Sequence, residues 1–246
     1  MRRLALLLVA LSTAVVSSAA AQSSIFSVRG LGVPAAPYTV RTSTLGGGTA
    51  MFDPLSALNP AALGGYDTLS AVFTGVQNFR STRDPAGTAT GRDSRFPHVM
   101  ISGPVGHTPF SLGLALSSYT TRDFSLATVD TIAPRGAPIV LSDTFSSTGG
   151  VSQIQAGGAW HRRGSAWSIG ASFTLLTGTN RLQSRAAFSD SAFIATRQRA
   201  ELSYAGYGAT LGVRRDFGPT LSIGAMVRTD HNVKVDIDST RLTQVD

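Results

Sequence analysis

The chain has 246 residues, of which 42% are hydrophobic and only 14% are charged, and it contains no cysteine. Typical soluble domains carry roughly 25% charged residues, so this composition argues against an ordinary soluble protein. The lack of cysteine excludes disulfides, thiolate metal sites and a lipid anchor on cysteine. The net charge of +7 comes from dispersed arginines rather than from one dense basic stripe, which argues against nucleic-acid binding.

Residues 1–21 have the pattern of a secretory signal peptide. Arg2 and Arg3 precede a short apolar run, and the alanines that end at Ala21 fit the small-residue cleavage rule. The apolar run is shorter than the roughly 20 residues that a transmembrane helix requires. We therefore expect export and cleavage after Ala21, which leaves a mature net charge of +5 because two arginines leave with the signal.

Residues 22–66 do not have the pattern of a strand, and two short helical turns are predicted there. Asp53 can cap the first turn with Pro54 at its first position, and Pro60 disfavours helical geometry at the residue before it. Asn59 then caps a second turn that begins at Pro60 and ends at Gly64 or Gly65. This spacing predicts a bent, rigid segment.

Three consecutive glycines, Gly46, Gly47 and Gly48, precede these turns. They allow either a tight approach to a neighbouring wall or a flexible turn. They do not form a phosphate loop, because no Lys-Ser/Thr pair follows them and no parallel strand precedes them.

The rest of the chain, residues 67–246, alternates apolar with small or polar residues, which is typical of β-strands with two different faces. In residues 166–176, for example, the side chains of Trp167, Ile169 and Phe173 point one way and those of Ser168 and Ser172 point the other. Seven strands are predicted, at 68–79, 96–105, 109–121, 149–161, 165–177, 200–214 and 219–230.

The connections between these strands alternate strictly in length. Residues 106–108, 162–164 and 215–218 are short turns, whereas 80–95, 122–148 and 178–199 are predicted long loops that carry most of the arginines. Short periplasmic turns and long extracellular loops are the topology of outer-membrane barrels. The sequence therefore predicts an all-β fold, an antiparallel outer-membrane β-barrel whose apolar face meets lipid.

The strand count is odd, although single-chain bacterial barrels have an even number. Residues 232–246 still alternate in the manner of a strand cut off at a loop, and no terminal aromatic residue closes the chain. We expect from this that the barrel is incomplete and that the chain is a fragment or a truncated gene product.

The segment STLGGGTAMFDPLSALNPAALGG, between the signal peptide and the first strand, resembles the FadL/TodX family of outer-membrane transporters for hydrophobic compounds, and also the related PorV-type barrels. In that family an N-terminal hatch with an Asn-Pro-Ala motif blocks the barrel. The resemblance implies that residues 22–66 are a hatch or plug and that Asn59, Pro60 and Ala61 are its motif. The structural alternative for Asn59 is a plain helix cap.

The sequence leaves three functions open. The resemblance implies uptake of hydrophobic compounds such as long-chain fatty acids, with a pocket in the loop 122–148 to which Phe124, Leu126, Ile132 and Ile139 contribute. Alternatively, a PorV-like barrel docks envelope proteins during export, or the barrel is purely structural. The ordinary alternative for the loop is a strand extension above the membrane.

Catalytic chemistry is not indicated. Glu201 is the only glutamate, the four histidines lack metal-ligand spacing, and no G-x-S-x-G or H-E-x-x-H motif occurs. We expect no enzyme activity, no metal and no cofactor. The expected partners are outer-membrane lipids and lipopolysaccharide, a hydrophobic small molecule and an envelope protein, with the arginines facing lipid phosphates or simply solvated.

Overall fold

The structure is a computed structural model that describes residues 31–35, 39–65, 67–84, 87–133, 138–162, 164–190, 192–218 and 220–243. The predicted signal peptide, residues 1–21, lies outside these described residues. So do residues 22–30, 36–38 and 66 of the predicted hatch.

The described part of the chain is all-β, and its strands form one antiparallel sheet. The strands are β1 (Val33–Pro34), β2 (Ser70–Asp84), β3 (Gly87–Pro104), β4 (Phe110–Thr121), β5 (Phe124–Ile132), β6 (Ile139–His161), β7 (Trp167–Phe188), β8 (Thr196–Phe217) and β9 (Leu221–Thr243). The main path runs β2-β3-β4-β6-β7-β8-β9, with β1 beside β4 and β5 beside β6. Among the described residues ahead of β2 there are two short helices, α1 (Val40–Thr44) and a 3₁₀ helix (Pro60–Gly65).

All seven predicted strands are present, but most of the described residues in the predicted long loops belong to strands. Strands β2 and β3 pair through residues 80–84 and 87–95, and β7 and β8 pair through residues 178–186 and 196–205. Within 122–148, β5 pairs with the first part of β6. The prediction of loops failed because the backbone pairing continues where the apolar alternation stops.

The two faces of the sheet have opposite chemistry. The inner face, which carries the segment 39–65, buries small and polar side chains such as Ser117, Gln153 and Thr174. Some of them bond to one another: the Gln153 side-chain amide donates to Ser117 Oγ at 2.8 Å. The outer face exposes large apolar side chains, among them Phe73 at 65% and Leu211 at 65%. A soluble sandwich buries its apolar face, so this distribution is the reverse of a water-soluble fold.

The exposed apolar residues form a band of constant height around the sheet. Its top row crosses six strands in register, and its members are Phe73, Val99, Leu116, Ile154, Leu175 and Tyr207. The next outer row above it is mostly small or polar and consists of Ser118, Ser152, Thr177, Ala205 and Lys234. On β7 the band runs from Trp167 to Leu175, which spans about 27 Å along a strand at about 3.4 Å per residue.

Aromatic side chains mark both edges of this apolar band. At the edge near the short turns, Phe110 pairs with Trp160, and the Arg215 guanidinium lies 4.8 Å from the Trp167 ring centre and 4.4 Å from that of Phe217. At the other edge, two ring pairs occur, Phe73 with Phe96 at 5.0 Å and Phe173 with Tyr207 at 6.4 Å. Aromatic belts of this kind are typical of the two membrane–water interfaces.

The sheet is strongly curved around its inner face. Arg228 on β9 donates to Gln153 Oε1 on β6 at 2.9 Å, although two strands lie between them. In a flat sheet these strands would lie about 14 Å apart. In the described residues, however, β2 and β9 are the two ends of the path and do not pair, so the predicted barrel is not closed.

Candidate functional site: the contact between the N-terminal segment and the inner face

The segment 39–65 is organised around the buried carboxylate of Asp53. Its Oδ2 accepts a hydrogen bond from Thr39 Oγ1 at 2.7 Å, and its Oδ1 accepts one from the Arg41 guanidinium at 2.7 Å. Oδ1 also accepts from the Leu55 backbone N–H at 3.2 Å, as the predicted cap would. The first predicted helical turn is therefore a single capped turn, and the same carboxylate ties it to the start of α1. Helix α1 itself was not predicted.

Asn59 holds the second turn, and its side chain is almost fully buried. Its Oδ1 accepts from the Ala61 N–H at 3.0 Å, which is the predicted cap of the 3₁₀ helix. Its Nδ2 donates to the Met51 carbonyl at 3.1 Å, eight residues back along the chain. One side chain thus caps the helix and closes the preceding loop.

The Asn-Pro-Ala turn lies directly on the sheet because the strands beneath it have glycine at the contact points. A Cβ at Gly212 would overlap Asn59 Oδ1, and a Cβ at Gly170 would overlap the Pro60–Ala61 peptide. The glycines of β7 and β8 therefore provide the space that this turn occupies.

Inner-face side chains bind the backbone carbonyls of the segment. Ser168 Oγ donates to Ala61 O at 2.6 Å, and Ser102 Oγ donates to Pro54 O at 3.2 Å. Because a carbonyl only accepts, His98 Nε2 is the donor to Leu55 O at 2.8 Å. The Arg214 guanidinium donates to Phe52 O at 3.2 Å. These four bonds come from three strands, β3, β7 and β8, so the segment is fixed across the width of the sheet.

A small apolar cluster completes the contact. Ala57 and Leu63 of the segment pack against Met100, Ala115 and Ala159 of the inner face. Most of the surrounding side chains are polar, so this cluster is the apolar part of an otherwise hydrogen-bonded interface. Such contacts favour a fixed position over free movement.

The three consecutive glycines lie at the end of α1. The Gly46 N–H donates to Ser43 O at 3.0 Å and the Gly47 N–H to Thr42 O at 2.8 Å. Both residues have positive φ, +65° and +80°, which favours glycine. A Cβ at Gly46 would meet no atom within 4 Å, and one at Gly48 only Leu45 O. The geometry is therefore that of a helix-ending turn and not of a close approach to the sheet.

The four residues predicted to line a hydrophobic pocket are not brought together. Phe124 and Ile132 begin and end β5, about 27 Å apart along the strand, and Ile132 pairs with Ile139 at the tip of the hairpin. Phe124 packs on Phe145 with ring centres 5.4 Å apart, and Leu126 is partly exposed.

The part of the chain that the structure describes contains no group of three His, Asp or Glu side chains placed to hold a metal ion. Within those same residues, no helix has the length and apolar character needed to cross a membrane.

Comparison with known proteins assigns the family. The family model of BamG matches residues 1–245, nearly the whole chain. The chain belongs to the BamG family. No curated protein matches the chain.

Membership in the BamG family corrects the resemblance inferred from residues 43–65. The chain is not a member of the FadL/TodX family, and the predicted uptake of fatty acids or other hydrophobic compounds was wrong. The alternative of a PorV-like docking barrel has no support either. The Asn-Pro-Ala motif led to the wrong family because it forms a capped turn that packs on strand glycines. Such a turn is not specific to one family.

The BamG assignment agrees with the expected association with the outer membrane. The family implies association with the outer membrane and with envelope proteins, and the all-β structure is consistent with it.

The inner-face donors were not found from the sequence; they are His98, Ser102, Ser168 and Arg214. They lie up to 162 residues from their partners, and nothing in the local pattern marks them.

Proposed function

We propose that this chain is an outer-membrane component that associates with the machinery assembling outer-membrane proteins, and that it has no catalytic role. The observation that carries this proposal is the match of the BamG family model over residues 1–245. The partners are then other envelope proteins, and no solute is carried.

The sheet, in this proposal, spans the outer membrane as part of a barrel wall. The apolar band supports this, because a tilt of about 40° turns 27 Å along β7 into about 21 Å of height, close to the roughly 25 Å band of known barrels. The aromatic belts at both edges fit the two interfaces. The short turns then face the periplasm and the long hairpins face outward.

The segment 39–65 acts in this proposal as a fixed plug on the periplasmic half of the inner face. Its contacts fall close to the short turns: Ser168 is the second residue of β7, and Gly212 lies five residues before the end of β8. Four side-chain hydrogen bonds and the apolar cluster around Leu63 hold it there. A plug held in this way stiffens the wall rather than opening a path.

The association is tested by purifying the tagged full chain from outer membranes of its own host in mild detergent. We expect the outer-membrane protein assembly machinery to be enriched, and chemical crosslinking before extraction to increase the yield. A tagged outer-membrane barrel of similar abundance and unrelated function is the control. Equal recovery of the machinery with both proteins, from membranes in which both are correctly inserted, would contradict the proposal.

A further inference from the structure

A group of arginines lies on the outer face of the sheet, above the apolar band and on the opposite side of the sheet from the segment 39–65. Arg185 on β7 and Arg197 on β8 are direct register partners, so both side chains leave the same face side by side. Arg199 follows in the next outer row, opposite Gln183. We call Arg185, Arg197 and Arg199 the arginine patch.

Like charges placed directly opposite each other destabilise a strand pair. The outer rows that contain the patch continue on β6 as Thr144 and Ser146, and none of the described residues in these two rows is acidic. Two carboxylates lie on the same face one row nearer the apolar band: Glu201, which accepts from Arg181 at 3.3 Å, and its register partner Asp238 on β9. The Arg197 guanidinium donates to Gln183 Oε1 at 3.1 Å, which orients it without neutralising it.

The patch borders a polar groove of about 340 Å³. Its lining includes Thr144, Ser146, Gln183, Arg185, Thr196 and Arg197. Two guanidinium groups with neighbouring hydroxyls and an amide offer several donors to one anion. Guanidinium groups bind phosphate oxygens in a bidentate manner with charge-assisted hydrogen bonds.

The height of the patch indicates where this phosphate comes from. Arg185 lies ten residues beyond Leu175, the last residue of the apolar band on β7. This is about 34 Å along the strand and about 26 Å in height at the usual tilt. The headgroup layer of a bilayer is only about 6 Å thick on each side. The patch therefore lies among the sugars of lipopolysaccharide, and on the face that turns toward the surrounding lipid.

We propose that the arginine patch binds phosphate groups carried by the sugars of lipopolysaccharide. This inference depends on the membrane orientation proposed above but not on any protein partner. An acidic segment of a partner protein is the less favoured ligand, because the patch is on the lipid-facing side of the sheet.

The test uses the full chain folded in nanodiscs and three probes: lipopolysaccharide with phosphorylated core sugars, the same material after phosphatase treatment, and inorganic phosphate. We expect the phosphorylated form to bind at least tenfold more tightly than the treated form. The double substitution Arg185→Gln and Arg197→Gln is expected to weaken binding of the phosphorylated form by about tenfold or more. Binding of inorganic phosphate with the same loss in the double variant, without preference for lipopolysaccharide, would support the phosphate site and assign it to a free anion.

Arg181→Gln is the matched control, since Arg181 lies on the same face of β7 and is already paired with Glu201. We expect it to change binding by less than twofold. Equal binding of phosphorylated lipopolysaccharide by the wild type and the double variant would overturn the proposal, as would an equal loss in the Arg181 variant. Recovery of the assembly machinery is read in the same variants, so loss of lipid binding alone leaves the proposed function intact.

Discussion

Asn59 caps the 3₁₀ helix through its Oδ1 and closes the preceding loop through its Nδ2. Substitutions at this residue can separate the two roles. Asn59→Ala removes the acceptor for the Ala61 N–H and the donor to Met51 O. Because lost buried hydrogen bonds and the groups left unpaired cost about 1–3 kcal/mol, we expect the free energy of unfolding to fall by about 2 kcal/mol. Denaturant titration of the chain folded in lipid vesicles measures this.

Asn59→Asp is the sharper comparison, since Asp and Asn cap helices equally well. Its carboxylate still accepts from the Ala61 N–H but has no donor for Met51 O, and it is buried. We therefore expect Asn59→Asp to be at least as destabilised as Asn59→Ala. Wild-type stability of the Asp variant would show that the residue is a helix cap alone.

At the scale of the element, the segment 39–65 is held by donors from distant strands. Ser168→Ala removes the bond to Ala61 O, and Arg214→Gln removes the bond to Phe52 O together with the ion pair to Asp216. We expect the double variant to exchange the amide hydrogens of residues 52–65 at least tenfold faster, while the exchange of β7 and β8 is unchanged. Hydrogen–deuterium exchange read by mass spectrometry resolves the two regions.

Ser152→Ala is the control for this measurement, because Ser152 lies on the outer face of β6, away from the plug. It should leave the exchange of residues 52–65 as in the wild type. Unchanged exchange in the Ser168 and Arg214 double variant would mean that the bonds from His98 and Ser102, with the apolar packing around Leu63, are enough to hold the segment.

The strands could be predicted from the sequence only where the two faces of the sheet differ in polarity. Within the apolar band, Leu114 or Phe173 on one face and Ser117 or Ser172 on the other give the period of two, and the predicted strands were confirmed there. Above the band the outer face is polar as well, as at Thr179 and Arg181, so the alternation fades although the ladder continues. Hydrophobic periodicity therefore indicates the extent of the apolar band and not the full length of the strand.

The candidate site could be predicted only where its bonds are local. The caps by Asp53 and Asn59 join residues two positions apart, and the sequence spacing indicated both. The bond from Ser168 to Ala61 joins residues 107 positions apart, and a serine on an alternating strand looks like any other. Long-range donors of this kind require the register of the sheet, which the sequence alone does not supply.

At the scale of the whole molecule, the apolar band predicts that a charged residue introduced on the outer face destabilises the protein more inside the band than above it. Ala171 lies on the outer face of β7 in the middle row of the band, in register with Leu211 on β8. An arginine at the centre of the hydrocarbon layer costs about 2–4 kcal/mol in outer-membrane barrels. We expect Ala171→Arg to lower the free energy of unfolding, measured in lipid vesicles, by this amount.

Thr179→Arg provides the matched comparison, because Thr179 is on the same strand and the same face but lies two rows above the band. Its expected cost is at most about 1 kcal/mol, since a guanidinium near the interface reaches water and headgroups. In a water-soluble sheet both positions would already be solvated and both substitutions would be tolerated. Equal and small costs at Ala171 and Thr179 would therefore remove the lipid-facing assignment of the outer face, and with it the orientation that places the plug toward the periplasm and the arginine patch among the sugars.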